Sequence, residues 1–146
     1  MKAATSLLPE VSYAGILCGT ACILGHIFPV HMGFRGGKGL ACLGGTVLAF
    51  DWRVFLAMLG LEIIILFVVD YLCAVPMTAA VIFPPVIYIY TGDRIATMIF
   101  LAATVTMLIK HVGNIKRIMK GAEFHFKSYL WKPEEEIERV KDKLED

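Results

Sequence analysis

The sequence predicts an all-α protein that crosses a membrane about five times. Composition is the first reason: 58% of the 146 residues are hydrophobic, only 18% are charged, and the mean hydropathy is +0.70. An ordinary soluble domain lies far below that. Arrangement is the second, because the apolar residues gather into five runs, at about 11–30, 39–50, 54–69, 74–90 and 95–109, without period-two alternation. Inside lipid a backbone must satisfy its own hydrogen bonds, so such runs are helices rather than barrel strands. A formal net charge of +1 is nearly balanced. Any electrostatic message therefore lies in where the charges sit, and the total gives no reason to expect a nucleic-acid partner.

Residues 1–9 carry one lysine and too short an apolar core before Pro9 and Glu10 to form a cleaved signal, so the first run is expected to be a retained helix. A bilayer core of about 30 Å needs about 20 helical residues. The first run satisfies this, the second is short, and the last needs its flanks. Glu62 and Asp70 lie within or beside the third run. A carboxylate there is a functional candidate, but pairing inside the bundle, or a position nearer the interface, is expected before catalysis. Cys18, Cys22, Cys42 and Cys73 fall in apolar stretches without metal-ligand spacing, which reads as helix packing with no disulfide, metal or cofactor. After Trp131 the segment PEEEIERVKDKLED places proline and carboxylates ahead of Ile137, Val140 and Leu144. This is a short amphipathic helix with its acids at the favourable end. The reading is thus a membrane domain over residues 1–130 and a tail over 131–146, solvated or lying on the membrane surface.

Lysine and arginine set the expected orientation. Arg35 and Lys38 follow the first run, and Lys110, Lys116, Arg117, Lys120 and Lys127 follow the fifth, whereas the other side holds Lys2, Arg53 and Arg94. Positive residues stay inside, so the turn after the first helix and the C-terminal tail are expected to face the cytoplasm together.

That turn, GHIFPVHMGFRGGKGLA from Gly25 to Ala41, is where chemistry first shows. Gly33, Gly36, Gly37 and Gly39 surround Arg35 and Lys38 where a new helix begins. Glycines let backbone N–H groups approach a ligand, and a helix N-terminus has spare donors, so a phosphate fits. Equally, the glycines could make a tight turn while the cations fix topology. His26 sits where the first helix meets the interface and could orient the turn or touch substrate, although a histidine satisfied by a backbone carbonyl is the more common case; His31 is less specific. A second polar group, KHVGNIKRIMKGAE, closes the fifth helix, with His111 and Asn114 three apart on one face.

Taken together, GHIFPV and FRGGKGLA, followed by HVGNIKRIMKGAE, resemble the bacterial acyl-phosphate:glycerol-3-phosphate acyltransferases, often called PlsY. The family patterns are G-H-x-F-P-V with F-[KR]-G-G-K-G-[VL]-A-T, and H-R-x-N-I-x-R-[LI] with G-[ST]-E. The chain departs at Cys42 in place of threonine and Val112 in place of arginine. Nothing before Gly25 resembles the family's S-G-N-x-G-x-T-N loop, so the resemblance covers the later two thirds of a member. It implies a multi-helix bundle in the bacterial plasma membrane that moves an acyl group from acyl phosphate to the 1-hydroxyl of glycerol 3-phosphate, giving lysophosphatidic acid. By that resemblance Lys38, His111 and Asn114 are catalytic, and Arg35, Gly36, Gly37, Lys38 and Gly39 bind substrate phosphate. His26, Arg117 and Glu123 support them. A partner chain or homo-oligomer could supply the absent motif. A degenerate homologue that binds lipid phosphate or a partner acyltransferase is the alternative reading, and a small transporter a weaker one.

Overall fold

The computed structural model describes residues 13–145, so the reading of residues 1–9 lies outside the described residues. Among the described residues the chain forms seven α-helices and one 3-10 turn. These are α1 (Ala14–Ile27), the turn Val30–Met32, α2 (Leu40–Phe50), α3 (Trp52–Val69), α4 (Ala74–Thr91), α5 (Arg94–Met119), α6 (Phe126–Trp131) and α7 (Pro133–Glu145).

Among the described residues, four segments are long and apolar enough to cross a membrane: α1 with its 3-10 turn, α3, α4 and α5. Helix α2 is the exception. Its 11 residues rise about 16 Å, roughly half of a bilayer core. The expected five crossings therefore become four long helices and one short one. The local reason is Asp51, whose carboxylate accepts from the N–H of Arg53 at 2.7 Å and of Val54 at 3.3 Å, starting α3 directly after α2. An N-cap in that place leaves α2 no room to lengthen.

Helix α5 is the axis of the bundle, packed along both α4 and α1. Phe83 and Ile87 of α4, Phe100 and Met107 of α5, and Ile23 and Ile27 of α1 are fully buried at their junction. Phe83 meets Phe100 and Phe50 edge-on, with ring centroids 4.8 Å and 5.5 Å apart. On α3, by contrast, Leu56, Ile63, Ile64, Phe67 and Val68 point outward. A continuous apolar face of that kind is what lipid contacts require.

Two polar contacts lock the long helices. Pro84 has no N–H to give the carbonyl four residues back, Ala80, and the Thr104 hydroxyl of α5 donates to that carbonyl at 2.8 Å. Thr104→Val is expected to lower bundle stability by about 1–3 kcal/mol, because it strands a buried acceptor. Thermal unfolding in detergent, compared with Thr106→Val on the same helix, measures it. Glu62, buried on α3, accepts from the Thr78 hydroxyl of α4 at 2.6 Å, which is the expected pairing role.

Candidate functional site

The glycine-rich turn folds back onto the end of α1. Gly36 N–H donates to the Ile27 carbonyl at 3.2 Å and Phe34 N–H to the Pro29 carbonyl at 3.0 Å. A methyl group on Gly36 would collide with the His26 carbonyl oxygen, and one on Gly37 with the His26 imidazole. Gly39, at φ +89°, is the N-cap of α2 and has no side chain to cap it. The first amide groups of α2 are thus left for an outside acceptor.

The second motif meets this turn from α5. His111 and Asn114 are both buried, at 1% and 5% exposure. His111 Nδ1 donates to the Met107 carbonyl at 2.7 Å, which in a neutral ring makes Nε2 the acceptor. Lys38 Nζ donates to Asn114 Oδ1 at 2.5 Å. The Asn114 amide then donates to Glu123 Oε1 at 2.7 Å, and Glu123 Oε2 accepts from Arg117 Nε at 2.7 Å. The order is therefore cation, amide, carboxylate, cation. Charge at both ends fixes which way Asn114 points. Lys38 is otherwise exposed and keeps two ammonium hydrogens for an anion.

Not every expected residue joins this line. Arg35 and His26 line a separate open cleft of about 520 Å³ with His31, Pro29, Gly36 and Gly37, and Lys38 is not in its wall. The turn thus sends its two cations to different neighbours. Lys110 also stays at home, its ammonium 4.7 Å from the centre of the Phe28 ring.

Two residues read from the sequence only as a packing thiol and a carboxylate beside the third run, Cys73 and Asp70, gain definite neighbours, and the tail gains a docking contact. Cys73 is buried, and burial pushes its thiol up; the charge of Glu123 adds to this, while Lys38 and Arg117 oppose it, so the thiol sits in the field of the cluster. Asp70 ends α3 at φ +63°. Its carboxylate accepts from Lys127 N–H at 2.7 Å and lies 3.3 Å from His125 Nδ1. The tail is docked rather than a free appendage: Val140 and Glu136 of α7 are buried, whereas Ile137 and Leu144 are exposed. Glu136 accepts from Arg139 Nε at 2.9 Å, from Arg139 Nη2 at 2.6 Å and from His125 N–H at 2.7 Å. The break between the apolar runs ending near 69 and restarting near 74, with Asp70 in it, was the available signal for the α3–α4 turn.

The Arg139 hydrogen bonds, chiefly, hold the Glu136 carboxyl below the usual carboxylate range, against the opposing effect of burial. A depressed carboxyl stabilises the docked tail fully above its unfolded value, and that contribution is lost as pH falls through the folded value. The α7 helix is therefore expected to become protease-sensitive in acid below the usual carboxylate range. Glu136→Gln is expected to reproduce part of that sensitivity at neutral pH, read by limited proteolysis of the tail.

Comparison with known proteins gives the family of the chain. The family model described as glycerol-3-phosphate acyltransferase matches residues 1–121. The chain belongs to the glycerol-3-phosphate acyltransferase family. Relatives of that name include one from Francisella philomiragia, 38% identical over 133 residues, covering 80% of this chain and 61% of the relative. Another, from Prochlorococcus marinus, is 36% identical over 110 residues, 74% of this chain and 56% of the relative. The chain thus spans little more than half the length of these curated relatives. Its fold is similar to the crystal structure of PlsY (YgiH), an integral membrane glycerol 3-phosphate acyltransferase, in its glycerol 3-phosphate form. There the TM-score is 0.77 at 25% identity, over 88% of this chain and 66% of that one. Like that neighbour, this family member is a multi-pass membrane protein.

Proposed function

We propose that the chain contributes the site in which an acyl phosphate acylates the 1-hydroxyl of glycerol 3-phosphate at the cytoplasmic face of a bacterial plasma membrane. The observation that carries the reading is the Lys38–Asn114 hydrogen bond, which joins the two motifs across 76 residues of chain. In this reading Lys38 and the uncapped start of α2 hold phosphate, and His111 and Asn114 sit beside the hydroxyl. The hydroxyl oxygen bonds to the acyl carbon, and the bond from that carbon to the phosphate oxygen breaks. Phosphate leaves with the electron pair, and the hydroxyl proton passes to His111 Nε2 or to the departing phosphate. An acyl phosphate is already activated, so no serine or cysteine nucleophile is needed. The protein's part is to align the two reactants and to stabilise charge as it moves onto oxygen. Clustered cations at the same end of the bundle support the orientation.

The test supplies the purified chain in lipid nanodiscs with acyl phosphate and glycerol 3-phosphate, and follows 1-acylglycerol 3-phosphate against released phosphate. Equal amounts of both are expected; phosphate release without acylated product would overturn the reading. A second reading, binding without turnover, is favoured by Val112, an exposed apolar side chain where the family pattern has arginine. Glycerol 3-phosphate binding with neither product selects it.

A further inference from the structure

We infer that Arg139 on α7 is a positioning residue for the Lys38–Asn114–Glu123 line, a role that rests on the proposed function only for the identity of its ligand. The turn after α5 is held from two sides. On one side Phe126 N–H donates to the Asp70 carbonyl at 2.8 Å, and His125 bridges to Tyr71. On the other side stands a single guanidinium. Arg139 Nη1 donates to the Gly121 carbonyl at 2.5 Å, and Nη2 to the Glu123 carbonyl at 2.8 Å. The same group forks onto Glu136, which takes the N–H of His125. Gly121 O, Glu123 O and His125 N are thus pinned in alternate residues by one ion pair, with Glu123 in the middle.

Pinning matters because Gly121 has φ +68° and no side chain to define the turn. Glu123 must leave this turn and reach back to both Asn114 and Arg117. Fixing the carbonyls on either side of Ala122 sets that direction. Asn114 in turn presents its carbonyl to Lys38. Lysine at 139 would keep the charge but is a point donor, unable to span two carbonyls and a carboxylate together. The family match ends at residue 121. The clamp is therefore built almost wholly from the chain beyond that match.

The chain has one asparagine and no glutamine, so its side-chain amide NMR signal is a single pair belonging to Asn114. In nanodiscs, Arg139→Met is expected to shift that pair and shrink the separation of its two protons, with Arg139→Lys falling between. Val140→Ala, which trims the apolar contact of α7 and keeps the guanidinium, is expected to leave the pair in place. Glycerol 3-phosphate titrated into wild type and Arg139→Met should show affinity about tenfold weaker in the variant, the scale of one coupled member of a network. An unmoved amide pair in Arg139→Met, or an equal shift in Val140→Ala, overturns the positioning role. If the pair moves with Arg139 but glycerol 3-phosphate perturbs neither protein, the clamp stands and the proposed substrate fails.

Discussion

Lys38→Ala is expected to cut acyl transfer by at least about a hundredfold, the usual cost of removing one donor aimed at developing charge, with little change in melting temperature. Lys38 is exposed and makes one side-chain hydrogen bond, so the fold has little to lose. The site has much to lose, because that bond to Asn114 holds the ammonium at the start of α2 before any substrate arrives. Pre-set geometry of this kind lowers the barrier without reorganisation at the moment of reaction. Lys38→Arg should recover only a fraction, since a planar fork bonds Asn114 Oδ1 in a different geometry and sits farther out. Asn114→Ala differs in kind: the residue is buried and bonds both Lys38 and Glu123, so about 1–3 kcal/mol of stability should vanish along with activity. Turnover and thermal unfolding measured side by side separate the two. Lys38→Ala with wild-type turnover would remove the cation from the mechanism.

The contrast between Lys38 and its neighbours shows how far sequence could reach. The three-residue spacing of His111 and Asn114 follows from local periodicity, and both lie buried on α5. Charge placement also put the glycine turn and the end of α5 at one end of the bundle, where Lys38 and Asn114 meet. Periodicity carries no information about partners on other elements. Thr104 looks like one more small residue in α5 until the proline at position 84 frees a carbonyl opposite it. In the tail, the spacing of Ile137, Val140 and Leu144 suggested an apolar face, yet Glu136 is buried and Ile137 is not. A carboxylate can be buried there only because Arg139 and a backbone N–H satisfy it, and those partners are fixed by the docked turn, not by helical phase. Cys73 was read only as packing for a related reason: its apolar neighbours resemble lipid-facing chain, while its place just ahead of α4 leaves its thiol in the field of Glu123, Lys38 and Arg117.

Alanine substitutions in the glycine turn should differ by several kcal/mol according to what each new methyl group meets. At Gly25, inside α1, nothing lies within 4 Å of an added carbon. Alanine there should hold or raise stability by up to about 1 kcal/mol, from helix propensity. Gly33 also has open space but sits at φ +60°, so alanine should cost about 1 kcal/mol in backbone strain alone. Gly36 is the severe case. Its added carbon would collide with the His26 carbonyl, lie 2.5 Å from Pro29 Cδ and 2.9 Å from the Ile27 carbonyl oxygen. Two of these three neighbours are backbone at the end of α1 and the third is a proline ring closed onto its own backbone nitrogen, so none can swing aside as a side-chain tip would. Relief requires the loop to lift away from α1, breaking the Gly36 N–H bond to Ile27 and carrying Lys38 off Asn114. A loss of about 3 kcal/mol or more in stability is expected, in the range of forced backbone clashes, together with nearly complete loss of turnover. Gly37→Ala meets the His26 ring instead, which can rotate. Its stability should therefore stay close to wild type, and any fall in its turnover reports on His26 and the loop's approach rather than on unfolding. A Gly36→Ala protein as stable and active as Gly25→Ala would mean that the turn does not lie against the end of α1, and the path from Gly36 through Lys38 to Asn114 would have to be drawn differently.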